Sequence, residues 1–473
     1  MGASYLIGIL LFVWSAVVRA PRPPKRLPSG AARVALIAVA CSALCVLFAL
    51  QLQEIGDVAR SLLNRSPYGP DLPIPVIGAG FLYSTDVDPA RATAIELAGI
   101  VQGLCLFAIG MLLRGAAKRE RLVDTILALT ALVLAGIALH APTMESADLY
   151  SYVGLALSPN PYDPSATAFP GGAAIINHLW GTPLLPSPYG PLWLVISKAV
   201  VLPLGNLAAQ LFALRLLELA SLVVCLLILR GLAVNRAVIA LIAINPAVYD
   251  LFVAEGHNDI VGVALLLGAM LTRPRSRLLA VALAAAAGLI KLPFALLAML
   301  VFVPESPLLR RLLLGIAPAV VTVVLSALFG GALYLRALHR VYQAFTSSTS
   351  PLDSVLQFTL VLLALSSLAL AVTRRKFIAG AVWTFPALGH FPLAQYLAWS
   401  FPYAVADSEP ALVFFAALPV AVFLLNTDFA ITPLFMAVRI LLFVASIAAI
   451  IVSWFRHRSR TRLSAHSTRD THP

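Results

Sequence analysis

The stretch VALIAVACSALCVLFALQL, residues 34–52, decides the fold class. It carries no charged side chain, and a helix of about 20 residues crosses the hydrocarbon core of a bilayer. Because no water is available there, only helices and closed barrels can pair all their backbone groups. The run lacks the alternation of polar and apolar residues that is typical of a barrel strand. It therefore predicts a transmembrane helix.

Similar apolar runs recur along the whole chain. Of its 473 residues, 60% are hydrophobic and only 11% are charged, whereas a soluble domain carries about 25% charged residues. This composition excludes a soluble enzyme, a disordered chain and a nucleic-acid-binding protein, so no nucleic-acid partner is expected. We predict an all-α polytopic protein in the lipid bilayer with roughly 11–14 membrane helices, half-helices included. The runs are 5–18, 34–52, 93–113, 122–139, 211–229, 237–253, 260–271, 312–333 and 355–372, followed by the apolar region 377–455.

The basic residues predict the orientation of these helices. Most of the 33 lysines and arginines lie in short clusters between apolar runs, and cytoplasmic loops are enriched in such residues. We therefore expect the clusters and the basic tail 456–473 in the cytoplasm. Acids are frequent in the opposite loops 54–92, 141–208 and 249–259, which are expected outside, as is the N-terminus. The basic clusters are 19–33, 114–121, 230–236, 273–277, 310–311 and 374–376.

Two apolar stretches do not fit this alternation as ordinary spans. A crossing at 190–204 would place the next basic cluster outside, so we predict an interfacial helix there. Residues 278–303 are flanked by basic residues on both sides and interrupted at Lys291–Leu292–Pro293. We predict two half-helices that enter and return, an arrangement that is tolerated only inside protein or around a polar cavity.

Polar residues in the first large outer loop are candidates for chemistry. Asp148 would share a helix face with Tyr152, and Tyr162 follows in Asn-Pro-Tyr. A carboxylate beside tyrosines suits a sugar substrate, since the acid accepts a proton and the rings pack on sugar faces. Tyr189, in Ser-Pro-Tyr-Gly-Pro, follows on a rigid turn. The alternative is a solvated acid with tyrosines and a tryptophan that anchor the interface.

A second outer segment contains His257, Asn258 and Asp259 in a row. Polar side chains at such a helix junction are costly unless they are satisfied. They are candidates for binding sugar hydroxyls or orienting Asp148. Capping of the next helix by Asn or Asp would explain one of the three.

Cations inside apolar segments are candidates for binding a lipid phosphate. Lys291 and Arg439 lie in such segments, and intramembrane cations are functional candidates by default. For Arg215, beside Glu218, we favour a cation that snorkels or is paired internally. Gln395 and Trp399 share one helix face and are further candidates for the substrate site, although a packed aromatic helix end explains them as well.

Taken in order, these segments resemble the GT-C superfamily of integral-membrane glycosyltransferases. The similarity covers roughly residues 122–403 and is greatest to the polyprenyl-phosphate-mannose-dependent α-1,6-mannosyltransferases. The segments that carry it are Asp148-Leu-Tyr-Ser-Tyr, Asn160-Pro-Tyr, Trp180, Ser187-Pro-Tyr-Gly-Pro-Leu, Asn245-Pro-Ala, His257-Asn-Asp, Gly288-Leu-Ile-Lys-Leu-Pro and Gln395 with Trp399 and Pro402.

The resemblance implies a GT-C-type helical bundle and a specific reaction. A sugar, mannose by resemblance, would move from a polyprenyl-phosphate donor to a glycan or lipoglycan acceptor on the outer side of the plasma membrane. Asp148 would act as the base, with inversion at the sugar. Interfacial helices are expected in the catalytic loop, about 141–208. No cofactor is implied. The donor chemistry requires no metal, and the alternative is a metal on which Asp148 and Asp259 converge.

The resemblance also divides the chain. Residues 1–121, with three predicted spans, form an N-terminal extension, and the catalytic core is 122–403. C-terminal transmembrane helices follow at 404–455. The alternative function is a transporter or flippase, since broken helices and midplane charges are also typical of transporters. A structural membrane protein is a third class. The sequence leaves the sugar, the acceptor and the oligomeric state open.

Overall fold

The computed structural model describes residues 30–64, 89–114, 120–141, 148–164, 185–346, 399, 401–404, 411–412 and 414–419. Within these ranges every regular element is a helix, and there is no β-strand. The all-α prediction is therefore confirmed. The helices are α1 (Gly30–Asn64), α2 (Pro89–Arg114), α3 (Arg121–His140), α4 (Asp148–Leu157), α5 (Pro191–Val201), α6 (Leu207–Gly231), α7 (Arg236–Ala243), α8 (Pro246–Tyr249), the π-helix Asp250–Ala254, α9 (Asp259–Thr272), α10 (Arg277–Ile290), α11 (Pro293–Val301), α12 (Leu308–Thr346) and α13 (Phe401–Ala404).

Five of the described helices are long and apolar enough to cross a membrane. They are α1, α2, α3, α6 and α12; the pair formed by α7 with α8 and the π-helix makes a sixth span if it is counted as one, bent by 55°. The polytopic architecture is thus confirmed, and the chain is a multi-pass membrane protein. The total of 11–14 helices stays a prediction, since the remaining apolar regions lie outside the described residues.

The spanning helices expose apolar side chains outward. Val39 on α1, Leu132 on α3 and Leu227 on α6 are 69%, 68% and 62% exposed. Leaving such a side chain in water instead of an apolar environment costs about 1.5–3 kcal/mol. Because these residues lie on helices of membrane length, lipid is the medium that covers them.

Side-chain caps fix the starts of several helices. Asn206 accepts a hydrogen bond from the backbone amide of Ala209 at 2.8 Å and so begins α6. Ser276 does the same for α10, accepting from the amide of Leu279 at 3.2 Å. Each such cap contributes about 1 kcal/mol. These caps set where the helices start relative to the site.

The segment around Lys291 is a helical hairpin, as the sequence predicts. Arg277, at the start of α10, pairs with Glu305 just beyond α11, with 3.1 Å between Nε and Oε2. Arg273 also donates to the carbonyl of Val301 at the end of α11. The start of α10 and the end of α11 therefore lie together, and Lys291 is at the opposite tip. The 14-residue α10 puts that tip about 21 Å away.

The described bundle has two polar ends. The basic end carries the pairs Arg33–Glu120, Arg236–Asp124 and Arg277–Glu305. The acidic end carries the starts of α4 and α9, with Asp148 and Asp259, and the tip of the hairpin. Helix α5, with 11 residues, spans only about 16 Å and does not cross a bilayer. This length agrees with the predicted interfacial helix.

The core is divided in the same way. One large hydrophobic cluster joins α1, α2, α3, α6, α7, α9, α10 and α11. A second cluster, at the acidic end, consists mainly of residues from α4, α5 and the first half of α6, with Tyr334 of α12. This smaller cluster is rich in aromatic side chains and holds the polar residues described next.

Candidate active site

Asp148 is the first residue of α4, and its carboxylate is held from two sides. The hydroxyl of Tyr189 donates to Oδ1 at 3.2 Å, and His257 Nδ1 lies 2.9 Å from Oδ2. A carboxylate can only accept, so Nδ1 carries the hydrogen when Asp148 is ionised. The side chain is 15% exposed. It is therefore oriented and still accessible to a small hydroxyl group.

Opposing effects act on the ionisation of Asp148. Burial by itself would raise the pKa of this carboxyl group, but the hydrogen bond and charge of His257, the charge of Lys291 and the Tyr189 hydroxyl together lower the pKa. The pKa of Asp148 ends below its ordinary value. A low pKa keeps the group ionised and able to accept a proton at neutral pH.

Gly256 allows His257 to approach α4. It has a φ of 65°, in the left-handed region that favours glycine. A Cβ atom here would lie 2.3 Å from Cδ2 of Leu149, the neighbour of Asp148. The close contact between the segment before α9 and the start of α4 thus needs a residue without a side chain.

A buried ion pair lies beside Asp148. Lys291 Nζ is 3.1 Å from both carboxylate oxygens of Asp259, and the Trp399 indole donates to Oδ1. Lys291 Nζ also lies 6.0 Å from the centroid of the Tyr189 ring and 5.6 Å from that of Trp399, within the range of cation–π attraction. Asp259 is fully buried and Lys291 is 13% exposed. Only the lysine side of this pair reaches the site.

Gly190 locks the Tyr189 turn onto the hairpin. Its amide donates to the carbonyl of Ile290 at 3.0 Å, and a Cβ atom there would lie 2.1 Å from the carbonyl oxygen of Leu289. This contact brings Tyr189 between Asp148 and Lys291. Gly190 was not among the predicted site residues; its place between Tyr189 and Pro191 in the rigid turn was the available signal.

Tyr152 packs beneath the site rather than opening into it. Its ring makes edge contacts with Tyr189 and Trp193, with centroids 5.0 and 4.9 Å apart. Its hydroxyl accepts a hydrogen bond from the backbone amide of Asn258 at 3.4 Å. Burial raises the pKa of Tyr152 well above its usual range, so the side chain stays neutral.

Asn258 does not act as the expected helix cap. It precedes α9, but its side chain makes no capping hydrogen bond. The side chain is fully buried, and neither its oxygen nor its nitrogen has a hydrogen-bond partner among the described residues. Capping therefore does not explain this amide. Asp259, in the first turn of α9, is favourably placed relative to the helix dipole.

The remaining predicted residues lie elsewhere. Tyr162 packs against Tyr334 of α12, with ring centroids 5.2 Å apart. Burial raises the pKa of Tyr162 to about 12. Gln395 and Arg439 lie outside the described residues. The structure thus brings together Asp148, Tyr189, His257, Asp259, Lys291 and Trp399, with Tyr152 and Asn258 packed against this cluster.

A comparison with protein families supports one reaction class. Residues 78–306 match the model of the alpha-(1->6)-mannopyranosyltransferase N-terminal domain. This segment is therefore similar to that mannosyltransferase family. No curated protein and no solved structure matches the chain. The match covers just under half of the chain and supports glycosyltransferase activity.

The matched range contains nearly all of the described site. Asp148, His257 and Lys291 lie inside the matched range, and Trp399 lies beyond it. The match begins at residue 78, ahead of residue 122, where the resemblance placed the start of the core. Helix α2 thus falls within the matched segment. The division of the chain at residue 121 stays a prediction.

Metal ligation was the other open question for these carboxylates. In the described part of the chain, no group of three or more His, Cys, Asp or Glu side chains could hold a metal ion. Asp148 is bonded to His257 and Tyr189, whereas Asp259 is compensated by Lys291. The two carboxylates therefore have different chemical environments: Asp148 is 15% exposed, whereas Asp259 is fully buried.

Proposed function

We propose that this protein transfers mannose from a polyprenyl-phosphate carrier to a glycan or lipoglycan acceptor at the outer face of the plasma membrane. The family match supports α-1,6-mannosyl transfer. The observation that carries the residue assignment is the pair of contacts to Asp148, from His257 and Tyr189. They hold an ionised, partly exposed carboxylate at the acidic end of the bundle.

Asp148 acts as the general base in this proposal. The acceptor hydroxyl gives its proton to Asp148 while its oxygen attacks the anomeric carbon of the donor. The bond between that carbon and the phosphate oxygen breaks, and the polyprenyl phosphate leaves with the electron pair. A single displacement of this kind inverts the anomeric configuration. Asp148 then releases this proton to solvent while it remains hydrogen-bonded to His257.

Lys291 and Arg439 are the proposed partners of the donor phosphate. Lys291 is 13% exposed at the tip of the hairpin, beside Asp148. Asp259 already compensates its charge, so the dianionic leaving group needs a further cation. Arg439 is our candidate for that second cation. A lipid phosphate without such partners would not be stabilised in a site of low dielectric constant.

The aromatic and amide side chains are proposed to bind the sugars. Tyr189 and Trp399 flank Lys291, and rings of this kind pack on sugar faces. Asn258 is fully buried behind the site, so its assignment to sugar binding stays a prediction from the sequence. The assignment of Tyr152, Tyr162 and Gln395 to substrate binding stays a prediction from the sequence, since Tyr152 packs beneath Tyr189 and Tyr162 packs against Tyr334. Single substitutions of these residues test the assignment.

The orientation of the site follows from charge in this proposal. The basic end, with Arg33, Arg236 and Arg277, is proposed to face the cytoplasm, as is the C-terminus. Asp148 and Lys291 then lie on the extracytoplasmic side. A polyprenyl-phosphate donor is confined to the membrane, and the hairpin tip lies about 21 Å from the basic end of α10. The site would therefore meet the headgroup region of the outer leaflet.

The test is transfer of label from polyprenyl-phosphate-mannose to a glycan acceptor by the purified protein. We expect wild type to transfer and Asp148→Asn to lose about 10²–10⁴-fold in rate, the usual contribution of a positioned base. Asp163→Asn is the matched control, because Asp163 lies in the same segment and is 67% exposed. It should retain the wild-type rate.

Several outcomes would contradict the proposal. Equal rates for wild type and Asp148→Asn would remove Asp148 as the base, and a retained anomeric configuration would contradict single displacement. Turnover by detergent-solubilised protein, without a gradient, distinguishes an enzyme from the alternative of a transporter or flippase. Absence of transfer from every polyprenyl-phosphate sugar would overturn the donor assignment.

A further inference from the structure

Arg215 is a buried cation that the proposed chemistry does not use. It lies on α6 and is only 7% exposed. Its Nη1 donates to the carbonyls of Leu139 at 3.3 Å and Ala141 at 2.6 Å, and its Nη2 donates to the carbonyl of Ala254 at 2.5 Å. These hydrogen bonds hold the guanidinium inside the protein, as expected for an internally paired cation, although its buried Nε makes no hydrogen bond among the described residues. The neighbouring Glu218 is not its partner, because both Glu218 oxygens lack a hydrogen bond among the described residues.

The acceptors belong to the two chain segments that carry the candidate base and its histidine. Leu139 and Ala141 lie at the end of α3, which leads to Asp148. Ala254 ends the π-helix, three residues before His257. One guanidinium group therefore fastens both segments to α6. The approach of His257 to Asp148 depends on how these two segments are placed.

The side chain at this position is specific for the task. The last carbonyls of a helix have no partner within the helix and carry partial negative charge. A planar guanidinium presents several donors in a fixed fork, whereas an ammonium is a point charge on a flexible stem. A cation inside a membrane helix is costly, and an aliphatic side chain would serve packing equally well. The hydrogen bonds to both segments explain why an arginine occupies this position.

We propose that Arg215 is a positioning residue that fixes the end of α3 and the π-helix so that His257 reaches hydrogen-bonding distance of Asp148. This inference rests on the proposed role of Asp148 as the base. Glu255 is fully buried and directly follows Ala254, whose carbonyl accepts a hydrogen bond from Arg215. A substitution of Glu255 is therefore a second way to perturb the contact between Arg215 and Ala254.

The proposal makes a statement about the base and not only about stability. The groups that face Asp148 are His257, Tyr189 and Lys291, and all of them lower the pKa of Asp148 against the effect of burial. If the two segments separate, the contribution of His257 weakens and the pKa of Asp148 rises. The acid limb of the pH profile of kcat/KM then moves to higher pH, because the base must be deprotonated.

The test uses Arg215→Lys, which keeps the positive charge but removes the planar set of guanidinium donors. We expect faster backbone hydrogen exchange in both the 148–157 and 255–264 segments. We also expect a kcat lower by roughly 10–100-fold, since a misplacement of about 1 Å can cost 10²-fold, and an acid limb at higher pH. A merely structural role would reduce the folded fraction without moving the acid limb of the molecules that remain folded.

Arg236→Lys is the matched control. Arg236 ties α7 to α3 through Asp124, at the basic end of the bundle. Its replacement should change neither the acid limb nor the exchange of the 148–157 and 255–264 segments. If Arg215→Lys fails to fold, Glu255→Gln replaces it and should move the same two observables in the same directions.

Unchanged hydrogen exchange and an unchanged acid limb in folded Arg215→Lys, or in Glu255→Gln in its place, would overturn the positioning role. The exchange measurement needs no substrate, so it separates this inference from the proposed function. A wild-type protein that transfers no sugar would refute the function, while the exchange of the two segments would still decide whether Arg215 positions them.

Discussion

The two ends of the described bundle both carry ion pairs, and the pairs differ in their surroundings. At the basic end, Arg277 and Arg236 are 46% and 38% exposed, whereas Arg33 is only 12% exposed, and the acid of each pair keeps some exposure. At the acidic end, Asp259 is fully buried against Lys291. Exposed pairs contribute about 0–1 kcal/mol, whereas the desolvation of buried pairs can exceed their Coulombic gain. The acidic end thus retains a fully buried charge whose desolvation is costly, and the proposed chemistry offers a reason to keep it.

The largest expected effect on stability comes from breaking the buried pair. Lys291→Met leaves the buried Asp259 without its cation, which typically costs about 3–5 kcal/mol. The free energy of unfolding by denaturant titration in detergent measures it. Lys291→Met combined with Asp259→Asn should recover most of the stability without restoring transfer. A loss below about 1 kcal/mol in the single variant would show that this pair behaves like an exposed one.

A glycine at the acidic end should be nearly as sensitive. Gly190→Ala places a Cβ atom 2.1 Å from a backbone oxygen of α10, which cannot move aside like a side chain. We expect a loss of about 1–3 kcal/mol together with reduced transfer, because the turn that carries Tyr189 must shift. Thermal unfolding and the transfer assay measure the two effects.

Gly136→Ala is the control for that substitution. No atom lies within 4 Å of a Cβ built at this position on α3. Alanine is favoured over glycine within helices by about 1 kcal/mol. The control should therefore be neutral or slightly stabilising, and equal effects of the two substitutions would refute the close packing at Gly190.

Removing one hydrogen bond at the base should have a smaller effect. Tyr189→Phe takes away the donor to Asp148 Oδ1, a bond worth about 1 kcal/mol. The pKa of Asp148 rises, and the acid limb of kcat/KM moves upward by about one pH unit, which corresponds to 1.36 kcal/mol. An acid limb that moves downward would contradict the role of this hydroxyl in stabilising the carboxylate.

The smallest effect is expected at the basic end. Arg277→Gln removes a pair in which the arginine is 46% exposed, and Glu305 keeps Arg310 at 3.8 Å. We therefore expect a loss of at most about 1 kcal/mol with unchanged transfer kinetics. The same denaturant titration and transfer assay apply. A loss as large as that of Lys291→Met would abolish the contrast between the two ends.

Much of the architecture could be predicted from the sequence. Apolar runs such as 34–52 and 211–229 determine spanning helices, because transfer into lipid depends on local composition. The break at Lys291–Pro293 and its flanking arginines predicted the hairpin, since the flanks must return to one side. The family resemblance, through segments such as Asp148-Leu-Tyr-Ser-Tyr, agrees with the mannosyltransferase match over residues 78–306.

The contacts within the site could not be predicted in the same way. Asp148 and His257 are 109 residues apart, and Asp259 and Lys291 are 32 apart. The sequence indicated that these residue types are unusual in a membrane protein, but it left open which of them meet. It had suggested capping for Asn258, and only the packed segment shows an amide without a capping bond.

The sequence by itself determined the membrane class, the helices and the set of polar residues that need an explanation. The tertiary structure decided that Asp148 pairs with His257, that Lys291 compensates Asp259, and that Arg215 binds carbonyls of two segments rather than Glu218. The physical reason is the range of the interactions. Hydrophobic transfer sums over neighbouring residues, whereas hydrogen bonds and buried charges depend on distances of about 3 Å that only helix packing sets.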